Sequence, residues 1–390
     1  MNSIDTNKMR IVIVGGGIAG LAAAAVLRQR HDVTVFEREP ASAPERGGGI
    51  GIGPNGSRML KRAFQFCPGD LKATICAGSR TYDKKGNLLR ETTGTAEPFG
   101  SEWLLTHRTD LREELLRLAT GDAAKLGICG PPATVVEGVE VAEVDVETGT
   151  VWLQDGREVE ADVVVGADGI HSFVRQAIVG EPPRFLSTGV SLYRFTFPLD
   201  RAREILKGYP PAIDPANGGF LSVMAVDDET NRHIVFYPCR DLTTLNVIAR
   251  IPDSMLSGES VTSWNAEGSP EEMLDHFFDF APWILEIMNG RGRGAPDDAV
   301  PGSGRDAGHR GRRGPAPPPP RERRRRQRRP RAADVGLGAA SARVAGPEEL
   351  ALRHRHVGAG AAGPDEAELD VQRHPRGAEE SLAASLEHKE

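Results

Sequence analysis

The fold is decided by one stretch near the start of the chain, MRIVIVGGGIAGLAAAAVLRQRHDVTVFE, which runs from Met9 to Glu37. Its apolar run Ile11–Val14 suits a strand that is buried on both faces of a parallel sheet. An Ala-rich segment predicts a helix, and a second apolar run, Val33–Phe36, predicts another strand. The glycines between the first strand and the helix have the spacing G-x-G-x-x-G, at Gly15, Gly17 and Gly20. The stretch therefore predicts a βαβ unit of the Rossmann type.

The glycine spacing has a physical reason at each position if the unit binds a dinucleotide. Gly15 allows the tight turn, Gly17 lets a pyrophosphate approach the backbone, and Gly20 lets the helix pack closely on the sheet. The N–H groups of the helix N-terminus then face the phosphates. Glu37 ends the second strand, where its carboxylate can accept hydrogen bonds from a ribose diol. A glycine turn that serves packing alone is the alternative, and Glu37 does not separate FAD from NAD.

Composition divides the chain into two parts. The 390 residues carry a net charge of −7, which gives no overall case for nucleic acid or membrane binding. No aromatic residue follows Trp283, and the chain from Arg291 onward is almost wholly Arg, Gly, Ala, Pro, Glu, Asp, Leu, Val and His. Such a segment buries too little apolar surface to offset its ordering entropy. We therefore expect an ordered body up to about Gly290 and a disordered tail over 291–390.

The cysteines and the N-terminus indicate the compartment. The 4 cysteines form no Cys-x-x-Cys pair, so their spacing predicts neither a metal site nor a disulfide framework. The polar start MNSIDTNKMR has no secretory pattern, and no apolar segment is long enough to span a bilayer. These features predict a cytoplasmic protein without metal or membrane partners.

Three further motifs follow the glycine-rich unit: GGGIGIGPNGSRML at Gly47–Leu60, LLTHRTDLREELLRLA at Leu104–Ala119 and DVVVGADGIHSFVR at Asp162–Arg175. With them, the chain from Met9 to Met288 resembles the group A FAD-dependent aromatic hydroxylases. These monooxygenases include salicylate hydroxylase-like and para-hydroxybenzoate hydroxylase-like enzymes.

The resemblance implies cofactor roles for residues in each motif. Gly49 lies in the glycine-rich loop near the flavin, Arg108 contacts FAD, and Asp168 lies by the FAD pyrophosphate. Two alternatives remain open from the residues alone. Arg108 can be a solvated surface arginine, and Asp168 can be a turn or helix-capping residue after a strand.

A second region contains four runs rich in aromatic and β-branched residues, SLYRFTFP, FLSVMAV, HIVFYPC and LNVIARI. They predict a mixed or antiparallel sheet, which the resemblance makes one wall of the substrate pocket. The resemblance makes Arg194 and Tyr237 the catalytic candidates by position, and a positive or hydrogen-bonding group near the phenol oxygen would favour the phenolate of the substrate. A strand-edge arginine and a core tyrosine are the alternatives. Ser269, Pro270 and Glu272 then predict the start of one helix that carries FFDFAPWILEIM.

The predicted fold class is α/β, with a doubly wound FAD-binding domain (the glutathione reductase-like variant of the Rossmann fold) and a β-sheet substrate domain. The predicted boundaries are 1–183 for the FAD domain, 184–269 for the substrate sheet, 270–290 for a helix returning to the FAD domain, and 291–390 for the tail. The predicted activity is hydroxylation of a small phenolic or polyketide-like aromatic with FAD, O2 and NADPH or NADH. Alternatives are a related flavoprotein such as an epoxidase, halogenase or reductase, an inactive flavoprotein fragment, and a basic-tailed protein that binds nucleic acid or another partner.

The tail also bears on the cofactor. In the resembled family, a strand ending in Gly-Asp-Ala-Ala-His-Pro follows the substrate sheet, and its Asp contacts the flavin ribityl chain. This chain has only Arg, Gly and Pro at that place. We hypothesise that the segment after Met288 is GC-rich coding sequence translated out of frame, since a shifted frame over Arg305–Gly314 permits Gly-Asp-Ala-Ala. A natural disordered extension is the alternative, and either reading predicts weak FAD binding.

Overall fold

The structure, a computed structural model, describes residues 8–42, 47–64, 68–94, 97–181, 187–256 and 268–290. The predicted tail, and with it the out-of-frame hypothesis, lies outside the described residues.

The strands in chain order are β1 (Arg10–Val14), β2 (Asp32–Glu37), β3 (Gly49–Ile52), β4 (Thr74–Asp83), β5 (Leu88–Thr93), β6 (Leu104–His107), β7 (Thr134–Glu137), β8 (Val141–Asp145), β9 (Thr150–Leu153), β10 (Glu158–Glu160), β11 (Val163–Gly166), β12 (Val190–Pro198), β13 (Gly219–Ala225), β14 (His233–Cys239) and β15 (Thr244–Pro252). The α-helices are α1 (Ile18–Leu27), α2 (Pro54–Phe64), α3 (Arg108–Thr120), α4 (Ala123–Leu126), α5 (Phe173–Val179), α6 (Leu199–Leu206), α7 (Pro270–Phe277) and α8 (Pro282–Gly290).

A parallel sheet of four strands contains the predicted βαβ unit. Its order is β11-β1-β2-β7, so the run Ile11–Val14 lies in a central parallel strand, as its apolar sequence predicts. Helices α1 and α3 pack on one face through a common apolar core. The other face packs against the antiparallel sheet β8–β10 and the first residues of α5. The α/β class and the Rossmann-like sheet are thereby confirmed.

The fourth parallel strand differs from the sequence interpretation. The alternation from Val135 to Leu153 predicts one antiparallel meander. Instead, Thr134–Glu137 pairs in parallel with β2, and the meander runs from Val141 to Glu160. Val135 and Val136 are adjacent valines on opposite faces of β7, a pattern that suits a strand covered on both sides.

The four strands predicted for the substrate sheet all form, and they belong to a larger sheet of eight strands. The order is β12-β15-β14-β13-β4-β6-β3, with β5 paired to β4. Most neighbours are antiparallel, whereas β13 runs parallel to β4. Half of the sheet therefore comes from the sequence before residue 183. The domain boundary predicted at residue 183 therefore does not separate two sheets, because strands from before and after it pair in the same sheet.

The helical segment after Ser269 also differs from its prediction. It forms two helices, α7 and α8, because Pro282 cannot continue a helix that would need its N–H. Ser269 caps α7 by accepting a hydrogen bond from the Glu272 N–H, as the sequence predicts. Both helices pack against one face of the β12–β15 sheet, in a core that includes Phe195, Phe277 and Ile287. The packing partner is thus the substrate sheet.

Candidate cofactor and substrate site

The glycine loop lies where the strand order of the parallel sheet reverses. β1 has β2 on one side and β11 on the other, and ligands of such sheets bind at this point, beyond the carboxyl ends of the strands. Gly15 has φ +104°, and a Cβ there would lie 2.4 Å from the Ala167 carbonyl oxygen. A Cβ on Gly20 would lie 1.9 Å from the Gly15 carbonyl oxygen. Both glycines are therefore required by close backbone approach.

Gly17 differs from these two glycines because a Cβ there would meet nothing within 4 Å. It is the N-cap of α1 and provides no side chain to bond the first N–H groups of the helix. Those N–H groups and the open space beside Gly17 would allow a pyrophosphate to approach, and that contact stays a prediction. Glu37 lies beside the same loop, where its carboxylate accepts the N–H of Gly16 at 2.6 Å and that of Glu39 at 2.9 Å.

Asp168 follows β11 and makes capping contacts. Its carboxylate accepts hydrogen bonds from the Ser172 hydroxyl at 2.6 Å and from the N–H groups of Phe173 at 2.8 Å and Val174 at 3.1 Å. The capping alternative raised from the sequence is therefore observed. A role of Asp168 toward the cofactor stays a prediction.

The first turn of α3 contacts three parts of the molecule. Arg108 begins the helix and lies near Arg194 of β12. Asp110 receives both guanidinium hydrogen bonds of Arg240, at 2.7 and 3.1 Å. Arg112 donates to the Gly16 carbonyl at 3.2 Å and to Glu137 at 3.4 Å. Arg112 was not predicted as a site residue, although its place one helical turn after Arg108 could have indicated it.

The catalytic candidates share one face of the large sheet. Tyr193, Phe195 and Phe197 of β12 face the helices, so the residues between them, Arg194 included, face the other way. Tyr237 lies on the same face, in an apolar cluster with Val235, Leu105 and Cys76. Burial lowers the pKa of Arg194, the charge of Arg108 lowers it further, and Tyr237 acts in the opposite direction. The structure thus brings Arg194, Tyr237 and Arg108 together.

Gly49 belongs to the second glycine-rich segment, which begins at Gly47, and it contacts this wall. A Cβ on Gly49 would lie 2.6 Å from the Asn246 Cβ and 2.7 Å from the Tyr237 ring. The Gly49 N–H donates to Asn246 Oδ1 at 2.7 Å. Asn246 was not predicted as a site residue, because nothing local in LNVIARI distinguishes it from a solvated strand residue. We call the face that carries Arg194, Tyr237 and Asn246 the substrate wall.

The described residues contain neither a metal-holding cluster nor a membrane-spanning helix. No group of three or more His, Cys, Asp or Glu side chains among them is placed to hold a metal ion. None of the described helices is long and apolar enough to cross a membrane.

Comparisons with known proteins agree with this geometry. Residues 10–92 match the family of FAD dependent oxidoreductases. The chain is 30% identical over 295 residues to hispidin-3-hydroxylase of Neonothopanus nambi, covering 72% of this chain and 67% of the relative. It is 35% identical over 295 residues to the 3-amino-4-hydroxybenzoate 2-monooxygenase PtnB3 of Streptomyces platensis, covering 74% of this chain and 67% of the relative. Other curated relatives are matched over smaller shares of their length, such as 61% and 50%.

A solved structure shows the same fold. The crystal structure of CtdE in complex with FAD and a substrate superposes with a TM-score of 0.58 at 23% identity, over 72% of this chain and 66% of that chain. The Rossmann-like sheet, the glycine loop and the relatives lead to one assignment. The chain belongs to the FAD-dependent monooxygenases of the aromatic hydroxylase type.

Proposed function

We propose that this chain hydroxylates a small phenolic or polyketide-like aromatic compound, using FAD, O2 and NADPH or NADH. The observation that carries the proposal is the contact of the substrate wall with β3 at Gly49. This contact joins a face that bears Arg194 and Tyr237 to the loop that begins with Gly47. The relatives support the substrate class, since their names specify hydroxylation of hispidin and of an aminohydroxybenzoate.

The residues present fit FAD. Gly15 and Gly20 permit the close backbone approaches that shape the loop, and Gly17 leaves open space at the N-terminus of α1, where a pyrophosphate would lie. Glu37, which accepts the Gly16 N–H, is the proposed ribose acceptor, and Arg112, which contacts the Gly16 carbonyl, would add a positive charge beside bound phosphates. FAD supplies the redox chemistry that activates oxygen when it is bound. Cofactor roles for Gly49, Arg108 and Asp168 remain part of this proposal.

The protein's own residues orient the ring, hold its charge and exclude water. Arg194 is the proposed phenolate partner, because a guanidinium near a phenol oxygen lowers the pKa of that phenol. Tyr237 is the proposed hydrogen-bonding partner beside it. The apolar neighbours of Tyr237 on the wall, among them Val235 and Ile248, limit access of water.

The test combines a spectrum with a product analysis. Purified full-length protein is examined for oxidised flavin absorption and then incubated with NADPH or NADH and a panel of phenols. Hydroxylated products support the proposal, whereas epoxidised, halogenated or merely reduced products favour a related flavoprotein. The variant R194A is expected to slow hydroxylation more than flavin reduction, with the exposed R157A as the matched control. Equal slowing of both steps would give Arg194 a structural role.

The predicted tail, residues 291–390, determines how much FAD we expect the purified protein to contain. If residues 291–390 replace a family segment that contacts the flavin, purified protein will contain FAD far below one equivalent and show little turnover. Full stoichiometric FAD would contradict that expectation. A coding sequence whose shifted frame meets stop codons soon after Met288 would remove the out-of-frame hypothesis. Salt-dependent binding of generic RNA would favour the basic-tail alternative, and a cytoplasmic location stays a prediction.

A further inference from the structure

The turn between β14 and β15 has an unusual backbone. Arg240, Asp241 and Leu242 have φ values of +49°, +52° and +63°. Left-handed backbone is uncommon in residues other than glycine, and it persists where the surrounding structure fixes it, often at functional sites. The Asp241 N–H donates to the Lys72 carbonyl at 2.9 Å. The Leu242 N–H donates to the Thr74 hydroxyl at 3.1 Å. The Arg240 side chain therefore extends from an anchored turn.

The Arg240 guanidinium reaches from this turn to the first turn of α3. Its Nε and Nη2 donate to the two carboxylate oxygens of Asp110 at 2.7 and 3.1 Å. Asp110 is the third residue of the helix, and its side chain is 6% exposed. A bidentate guanidinium–carboxylate pair fixes the orientation of its two partners as well as their separation. The pair therefore sets where the first turn of α3 lies relative to the β14–β15 turn.

The same turn of α3 contacts both glycine-rich segments. The Arg108 N–H donates to the Gly48 carbonyl at 2.9 Å, immediately before β3 begins at Gly49. Arg112 Nε donates to the Gly16 carbonyl at 3.2 Å, in the loop after β1. One helical turn thus holds the two segments that are proposed to bind FAD. A shift of this turn would change the position of both.

We propose that Arg240 is a positioning residue for the cofactor site. Through Asp110 it fixes the first turn of α3, and so it places Arg108 and Arg112 for the FAD contacts proposed above. Arg240 does not itself touch FAD in this account. The inference rests on the proposed function, because FAD is the group toward which these arginines are placed.

Arg232 offers a matched control. Its guanidinium donates to both carboxylate oxygens of Asp279 at 2.8 and 3.1 Å, and its side chain is 7% exposed. Asp279 lies between α7 and α8, and among the described residues no contact of Arg232 involves α3. R232A therefore breaks a buried bidentate pair of the same kind as R240A, away from the cofactor site. If the Arg240–Asp110 pair only stabilised the fold, the two variants would behave alike.

Amide hydrogen exchange of the full-length protein, without added ligand, tests the positioning role directly. Peptides that cover residues 47–52 and 104–112 report on the hydrogen bonds of Gly49 and Arg108, under conditions in which every variant is folded. In R240A, we expect exchange in both peptides to be at least about tenfold faster than in the wild type, because the first turn of α3 opens locally. R232A is expected to leave both within about twofold of the wild type. R240K keeps the charge without the bidentate fork and is expected to lie between, and it carries the test if R240A does not fold.

FAD affinity provides the second readout, measured by quenching of FAD fluorescence on titration with each variant. R240A is expected to weaken FAD by at least about fivefold in the otherwise wild-type chain. In the R108A/R112A background, R240A is expected to weaken FAD by less than about twofold further, because the arginines that it positions are then absent. R232A is expected to change the affinity by less than about twofold in either background.

Two results would overturn the inference. The first is equal exchange of the two peptides in R240A and R232A, which would make the Arg240–Asp110 pair a general stabilising contact. The second is an equal loss of FAD affinity in R240A with and without the two α3 arginines, which would mean that Arg240 acts elsewhere. A wild-type protein that binds no FAD would instead reject the proposed function, and the exchange of R240A against R232A would then decide the inference alone.

Discussion

The glycine loop and the substrate wall are built from contacts of very different range. In the loop, Gly20 lies against Gly15, and Glu37 takes the N–H of Gly16, 21 residues away. On the wall, Asn246 accepts a hydrogen bond from the Gly49 N–H, 197 residues away in the sequence. Arg240 pairs with Asp110, which is 130 residues away. The loop is thus a largely local structure, and its glycine spacing can be recognised in the sequence. The wall forms only when strands from both halves of the chain pair.

The largest expected effect comes from removing the close approach within the loop. In G20A, the new Cβ would lie 1.9 Å from the Gly15 carbonyl oxygen, a backbone atom that cannot move aside easily. We expect a loss of about 3 kcal/mol or more in the free energy of unfolding. Urea denaturation measures it. G17A is the matched control, since its Cβ meets nothing within 4 Å, and should change stability by less than about 0.5 kcal/mol while still weakening FAD. Equal midpoints for G20A and the wild type would break the local account of the loop.

The next effect tests the long-range side of the comparison. Arg240, Asp241 and Leu242 all have positive φ, from +49° to +63°, in the turn between β14 and β15. The turn is held by the bidentate pair of Arg240 with Asp110, whose side chain is 6% exposed. R240A leaves that carboxylate buried without its partner and is expected to cost about 2–3 kcal/mol. R157A breaks an exposed pair and should cost less than about 1 kcal/mol. If the two variants melt alike, the turn does not depend on this ion pair.

The pH dependence of folding stability gives a further test of the strand region that forms the wall. Burial and the charge of Arg250 lower the pKa of His233 on β14 from 6.5 to about 4. Above pH 6.5 the histidine is neutral in both states, so it adds no pH dependence there. As the pH falls from about 7 to about 4.5, the unfolded chain binds the proton and the folded chain largely does not, so stability falls by about 2 kcal/mol. Denaturation at pH 7 and pH 4.5 should show this fall, and H233Q should flatten it.

Asp279 provides an internal reference for that experiment. Hydrogen bonds from Arg232 lower the pKa of Asp279 from 3.8 to about 2. Its contribution to stability is complete above pH 3.8 and is lost only as the pH falls toward 2. The two windows do not overlap. A slope between pH 6.5 and 4 that survives in H233Q would assign the effect to another group.

The last effect, which changes FAD affinity and not the stability of the fold, concerns the cofactor side of the loop. E37A removes the acceptor proposed for the ribose and is expected to weaken FAD by about 1–3 kcal/mol. E39Q is the control, because Glu39 is exposed beside it and pairs with Arg38. An unchanged FAD dissociation constant in E37A would show that Glu37 serves only the Gly16 and Glu39 N–H groups.

Sequence patterns predicted where helices and strands form better than they predicted which strands pair with each other. The strands β12–β15, the central strand β1, the helix beginning at Arg108 and the cap at Ser269 all form where expected. The pairing of Thr134–Glu137 and the division of the last helix at Pro282 differ from the prediction. Alternation of side chains is the same in parallel and antiparallel strands, so it cannot decide which strand a segment pairs with.

The site shows the same limit. Gly15, Gly17, Gly20 and Glu37 could be singled out from spacing because backbone geometry within one βαβ unit sets where they lie, and their contacts with the cofactor stay predictions. Asn246 was missed because an asparagine in a strand has no local signal, and Arg112 was missed although its place one helical turn after Arg108 could have indicated it.

By itself, the sequence determined that the chain contains a dinucleotide-binding βαβ unit, a set of β-rich runs and a tail of different composition. The tertiary structure decided that β3, β4, β5 and β6 join those runs in one sheet, and that Arg194, Tyr237 and Asn246 share a face against Gly49. The physical reason is that periodicity records which face of an element is buried, whereas hydrogen bonds between distant strands select the residues that meet there.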